Sequence, residues 1–326
     1  MKRARLVPED AIPERAELPA PWPGEEVLIG GRRTFLRMTP STAPDAEPAL
    51  YIHGLGGSSQ NWTDVADLLS DRLIGYAPDL AGFGRSDPPE RYTLAALSTQ
   101  IIQVIEHIGR GPVHLFGNSL GGVVAVRVAA TRPDLVRTLT LISPAMPFID
   151  PRWSVQSRFV PFLFFPRVDR LAERRLSQLP PEKVAWLMTS QCWADPYRMP
   201  PRRMAEAIEE AARRRQVPWN TAAYVRTFRG LISSFLRAYL PGRDSLWRLA
   251  AQVSAPTLVI WGRQDRMINV RLAPRVGRAI PDSRLLIVDR VGHTPQMEVP
   301  RIVARAFLGM LEEIETDSRD TAALSA

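Results

Sequence analysis

Two hydrophobic rhythms alternate along the chain. Short apolar runs at Glu26–Ile29, Thr34–Met38, Ala49–His53, Leu73–Ala77, Val113–Phe116, Leu139–Ile142, Thr257–Trp261 and Leu285–Val288 predict strands. Between them, apolar residues recur every three or four positions over Asn61–Leu69, Leu94–Ile108, Val123–Ala130, Ala273–Ile280 and Pro300–Ile314, which predicts helices. Strands alternating with helices predict an α/β fold, a mostly parallel doubly wound sheet covered on both faces. The rhythm breaks between about Met146 and Ala250. There the helix-like pieces Val168–Leu179, Arg202–Arg215 and Thr221–Leu240 follow one another without strands. Such an interruption predicts a mainly helical insertion above the strands' carboxyl ends, where open sheets bind ligands. The chain therefore divides into a proline-rich leader (1–24, partly disordered), a core (25–145 and 251–314), the insertion (146–250) and a flexible tail (315–326).

Composition narrows the class. The 326 residues suffice for one large α/β domain. Hydrophobic residues make up 45% and charged residues 23%, the balance of a soluble globular protein. No apolar run approaches the roughly 18 residues of a membrane span. The basic start is followed by proline and acidic residues rather than an apolar signal core, and Cys192 is the sole cysteine, so a reducing cytoplasm is the expected compartment. Net charge is +8, and Lys2 and Lys183 are the only lysines. The insertion holds 18 basic and 9 acidic residues, a net of +9, against 24 and 25 elsewhere, a net of −1. The positive excess thus belongs to one segment. No nucleic-acid motif accompanies it, and nucleic acid is not an expected partner.

The candidate chemistry starts at Gly117-Asn-Ser-Leu-Gly121, between the Val113 strand and the Val123 helix. In that strand–turn–helix setting, G-x-S-x-G presents the Ser119 hydroxyl at the sheet's end, and the Leu120 N–H opens a helix facing developing negative charge. The plainer reading is a glycine-rich turn with Ser119 capping the helix. A serine nucleophile needs a base, and the base an orienting carboxylate. Of the four histidines, His114 lies inside a strand, His107 late in a helix, and His53 at the start of a glycine loop. His293 hangs in a loop beyond the Leu285–Val288 strand, where a base can reach Ser119. Asp265, in the turn after Thr257–Trp261, is the candidate partner, with Asp289 as competitor and Asp282 as a turn residue. The loop His53-Gly-Leu-Gly-Gly57 can supply a second oxyanion donor, the Leu55 N–H.

Four signatures occur in order: HGLGG at 53–57, PDLAGFGRSD at 78–87, GNSLGG at 117–122, and WGRQD followed by GH at 261–265 and 292–293. Together they closely resemble the α/β-hydrolase fold family over roughly Val27–Leu311, outside the insertion. The resemblance implies a core working without cofactor or metal, a variable helical cap after the sixth strand at Met146–Ala250, and the triad Ser119, Asp265 and His293. Serine at the elbow separates the chain from branches with an aspartate nucleophile. Asn118 resembles the GNS elbow of carbon–carbon bond hydrolases that cleave vinylogous diketones. His293-Thr-Pro-Gln-Met-Glu298 is more similar to esterases and lipases.

The expected activity is therefore serine hydrolysis of a carboxylic ester with an apolar acyl or aromatic part. Carbon–carbon hydrolysis, perhydrolysis or acyl transfer, and a non-catalytic ligand receptor are the alternatives. The expected partner is a small ester or lipid-like molecule. The apolar stretch Phe159–Phe165, flanked by Arg158 and Arg167, offers either an acyl pocket, a peripheral membrane contact through the cap, or simple packing on the core.

Overall fold

The computed structural model describes residues 1–148, 178–239 and 245–325. Strands β1 (Lys2–Arg3), β2 (Gly24–Ile29), β3 (Arg32–Thr39), β4 (Glu47–Ile52), β5 (Leu73–Pro78), β6 (Val113–Asn118), β7 (Val136–Ile142), β8 (Thr257–Gly262) and β9 (Ser283–Val288) form one sheet. Their order is β1-β9-β8-β7-β6-β4-β5-β3-β2. Only the β2–β3 and β3–β5 pairs are antiparallel; the remainder run parallel. Strands β6 and β8 are buried along their whole length, which is why they read as unbroken apolar runs rather than as alternating patterns. The β2–β3 hairpin turns through Gly30 and Gly31, both at positive φ, the conformation that a two-residue hairpin loop of the mirror-image type demands.

Helices α1 (Thr63–Leu68), α2 (Leu94–Ile108), α3 (Leu120–Thr131), α8 (Ala273–Ala279), α9 (Pro295–Glu298) and α10 (Pro300–Ser325) flank the sheet. Helices α4 (Pro181–Cys192), α5 (Pro201–Arg215), α6 (Asn220–Arg237) and α7 (Leu246–Ala250) belong to the insertion between β7 and β8. In α2 the pattern and the ends agree. Thr93 Oγ1 accepts the Ala96 N–H, Gly109 closes the helix at φ +64°, and Leu94, Leu97, Ile101, Val104 and Ile105 form the buried stripe.

The topology sets the site's place. From β4 the chain goes to β5 on one side, then crosses through α2 to β6 on the other. This reversal opens a crevice at the carboxyl ends of β4 and β6, the ligand position of open α/β sheets.

At both ends the chain shows order that the pattern did not predict. In the leader, β1 pairs with β9, and Ala4, Val7 and Ile12 are buried in the same apolar cluster as Val303, Ala304 and Phe307 of α10. Arg305 and Arg301 donate to the carbonyls of Val7 and Pro13, which satisfies backbone that proline-rich sequence cannot pair by itself. The insertion follows the strand expected to precede it, Val136–Ile142, which becomes the seventh in chain order once β1 is counted. The tail does not leave the helix at Ile314, because 315–325 contains neither proline nor glycine and α10 continues to Ser325. In the insertion, α5 and α6 lie where the periodicity places them, whereas α4 was not foreseen. Its signal was Pro181 at the first helical position with Glu182 in the first turn. The apolar stretch Phe159–Phe165, its flanking Arg158 and Arg167, and most of the expected helix Val168–Leu179 lie outside the described residues. No described helix is long and apolar enough to cross a membrane.

Candidate active site

The end of β6 is held by close backbone packing. A β-carbon on Gly121 would be driven into the carbonyl oxygens of Ile52 and His53, so α3 starts against β4 only because glycine is there. Ser119, between strand and helix, has φ +54° and ψ −115°, a strained backbone for a residue with a side chain. Its N–H donates to the Ile142 carbonyl at 3.0 Å, and its own carbonyl accepts from Ala145 N–H at 3.0 Å, so β7 over-determines the turn. Leu120 is the first residue of α3, and its N–H has no intrahelical carbonyl to reach.

The HGLGG loop approaches the same point. The Gly54 β-carbon position lies 3.1 Å from Asn118 Oδ1 and 3.2 Å from Ser119 Cβ. Gly57 N–H donates to the Gly54 carbonyl at 3.0 Å, closing a turn with Leu55 at its first inner position. His53 supports this loop: its Nδ1 donates to the Gly54 carbonyl at 2.7 Å and its Nε2 accepts the Leu80 N–H at 2.9 Å. Full burial lowers its pKa and keeps the ring neutral, as this bonding pattern requires. His53 is thus structural.

His293 and Asp265 meet. The buried His293 Nδ1 donates to Asp265 Oδ2 at 2.8 Å. Asp265 Oδ1 accepts the N–H groups of Met267 and Ile268 at 2.8 and 2.9 Å, which fixes the carboxylate independently of the histidine. Asp289, the competitor, is exposed and paired with Arg263. Asp282 binds Arg284 at 2.6 Å. His114 is buried between Thr138 Oγ1 and Glu47 Oε2, and its hydrogen bond holds the Glu47 carboxyl below its usual range. His107 is exposed in the last turn of α2.

Several contacts of the site were invisible to sequence reasoning because the partners are distant in the chain. Asn118 Nδ2 donates to the carbonyls of Ile142 (3.1 Å) and His293 (3.2 Å), so the elbow holds the histidine loop directly. The His293 N–H donates to the Cys192 carbonyl at the end of α4. Glu298 accepts Gly292 N–H at 2.8 Å and Ala194 N–H at 3.0 Å; burial pushes its carboxyl up against the pull of these donors. Arg266, next to Asp265, donates to the carbonyls of Ser190 and Ala194 at 3.0 and 3.1 Å. The cap segment 190–194 is therefore clamped to both loops that carry the acid–base pair. Burial, with Asp265 and Glu298 adding to it, pushes the Cys192 thiol up to about 12, which disfavours the thiolate. No group of three or more metal-ligating side chains occurs among the described residues.

A mostly parallel sheet with a helical insertion after β7 and a serine at a strained strand–helix turn defines the α/β-hydrolase type of protein. Residues 48–300 match the family model described as alpha/beta hydrolase fold, and the chain belongs to that family. Among its relatives, Lipase 3 of Moraxella sp. (strain TA144) is 26% identical over 273 residues, covering 80% of this chain and 76% of that protein. Monoacylglycerol lipase abhd6-B of Xenopus laevis is 26% identical over 280 residues, covering 84% and 78%. A bacterial membrane phospholipase A of known structure superposes with a TM-score of 0.73 at 24% identity over 90% of this chain and 87% of that one, a likeness of fold.

Proposed function

We propose that the protein is a serine hydrolase of carboxylic esters with apolar acyl groups, working through an acyl-enzyme. The observation that carries this reading is the His293–Asp265 pair bonded at 2.8 Å, its backbone tied by Asn118 to the strained elbow of Ser119. Ser119 attacks the ester carbonyl while His293 takes its proton. The N–H groups of Leu120 and Leu55 hold the oxyanion, and Asp265 stabilises the imidazolium. His293 then protonates the leaving alcohol and activates water to release the acid. No cofactor or metal takes part in this scheme.

The apolar acyl group is supported by relatives that are named lipases. The same reading includes peripheral contact with a lipid surface through the cap, where Leu187, Met188, Tyr197, Leu236 and Tyr239 are exposed. The Asn118 amide donates to two backbone carbonyls and so has a structural role here; carbon–carbon cleavage is kept as an outcome of the test.

The test is fluorophosphonate labelling with turnover of p-nitrophenyl esters of increasing chain length. Wild-type protein labels and cleaves; Ser119→Ala does neither. Unchanged labelling of that variant, or turnover of a ring-fission diketone with negligible ester cleavage, overturns the reading.

A further inference from the structure

Two cap helices converge on a single residue of the core loop opposite the elbow. From α5, Arg214 Nη1 donates to the carbonyl oxygen of Gly56, a residue far away in sequence. Its Nε donates at 2.7 Å to Glu210 Oε1, which fixes the plane of the guanidinium. Glu210 also accepts Arg213 Nε at 2.8 Å and Nη2 at 2.7 Å. From α6, Tyr224 also reaches this residue: a β-carbon on Gly56 would stand 3.1 and 3.3 Å from its ring carbons.

Gly56 is where such contacts matter. It occupies φ +71° in the turn whose first inner residue is Leu55. A turn of glycines has little stiffness of its own. From the core side, His53 and Gly57 hold the Gly54 carbonyl, whose peptide carries the Leu55 N–H. The direction of the Gly56 carbonyl sets the plane of the peptide joining Gly56 to Gly57, whose N–H closes the turn. Through that closure it is a second hold on the direction of the Leu55 N–H, added to that of His53. Arg214 is the side chain holding that carbonyl, and it comes from the cap.

We propose that Arg214 is a positioning residue that completes the oxyanion hole from the cap, so that the Leu55 donor is aligned only while α5 is seated on the loop. The inference rests on the serine-hydrolase reading. It adds to that reading a dependence of chemistry, rather than of substrate access alone, on the docked cap.

The experiment compares wild type, Arg214→Ala and Arg214→Lys by steady-state ester kinetics, fluorophosphonate labelling rate and affinity for an alkyl boronic acid that mimics the tetrahedral intermediate. Deleting an oxyanion donor costs about 10²- to 10³-fold, so misaligning one lowers kcat by about 10- to 100-fold in Arg214→Ala. KM stays within about threefold, boronate affinity falls in parallel with kcat/KM, and millimolar guanidinium restores part of the rate. A mere tether between cap and core would lower the melting temperature or raise KM without weakening boronate binding selectively, and that result overturns the proposal. Should Arg214→Ala not fold, Glu210→Gln carries the same test, since it removes the carboxylate that orients the guanidinium. Wild type that fails to label at Ser119 refutes the hydrolase reading itself. Labelling at Ser119 with Arg214→Ala as fast as wild type refutes only the role of Arg214.

Discussion

Asn118 Nδ2 donates to the backbone carbonyl of His293 at 3.2 Å, so the residue before the candidate nucleophile holds the loop of the candidate base. The same amide bonds Ile142, the last residue of β7, at 3.1 Å. One side chain thus ties together the two loops on which the proposed proton transfer depends. Asn118→Ala takes the side-chain donor from the buried His293 carbonyl and frees the His293 loop, while the Ile142 carbonyl keeps the Ser119 N–H. The expected outcome is a fall in kcat of about 10- to 100-fold with little change in KM, because a displacement of about an ångström costs up to that much. Steady-state kinetics on a p-nitrophenyl ester check it, and an unchanged kcat refutes it.

Asp265 supports both its neighbouring backbone and His293. In Asp265→Asn the amide oxygen can still accept the N–H groups of Met267 and Ile268, but the nitrogen no longer accepts from His293 Nδ1. The ring then takes the wrong tautomer, and kcat is expected to fall by about 10⁴-fold with the fold retained. Circular dichroism and kinetics on one preparation separate the two effects.

Gly121 permits α3 to start against β4. Gly121→Ala pushes a methyl into the carbonyls of Ile52 and His53, neither of which can yield without moving the strand. The expected loss of stability is about 2–3 kcal/mol, read from denaturant unfolding, together with loss of labelling at Ser119.

Arg203 is only 7% exposed and ties α5 to Asp64 of α1 and to the leader through the Pro19 carbonyl. Arg203→Met leaves Asp64 facing a buried apolar chain, with an expected cost of about 3–5 kcal/mol. Replacing both Arg203 and Asp64 by leucine is expected to recover much of that loss. Urea unfolding of the single and double variants measures the difference.

Glu210 predicts an acid limb. Burial works to raise its pKa, but the Arg214 and Arg213 guanidiniums outweigh it and bring the carboxyl from 4.5 to about 2. A depressed folded pKa means that the stabilisation is complete above the unfolded value and is lost as pH falls from about 4.5 towards 2. At about 1.4 kcal/mol per unit this amounts to about 3 kcal/mol. Glu210→Gln is expected to flatten the stability profile across that window, as followed by unfolding at stepped pH. An identical acid limb in both proteins refutes the assignment.

The local elements were legible because their causes are local. Apolar periodicity and turn glycines marked every strand of the sheet except Lys2–Arg3, which is too short to show a pattern and pairs only because α10 holds the leader beside β9. The elbow was legible for the same reason, since strand, glycines and helix lie within one stretch of chain. The choice between Asp265 and Asp289 was not settled by spacing. It turned on which carboxylate β8 and β9 bring to His293, and Asp289 points outward to Arg263. Asn118 and Glu298 were legible only as parts of motifs, and Arg266 and Arg214 not at all; none gave a local signal of the contact it makes. Each acts on a backbone group or loop that chain separation hides and packing brings near.

The amino-acid sequence by itself determined the α/β class, the inserted helical segment, the serine elbow and the candidate acid–base residues, because side-chain pattern and turn chemistry act over a few residues. Only the tertiary structure decided how those parts are held: the leader strapped along α10, the cap clamped to the His293 loop, and the Gly56 carbonyl gripped by Arg214. Those are hydrogen bonds between groups far apart in the chain, and their geometry exists only once the sheet has set the spacing of its loops.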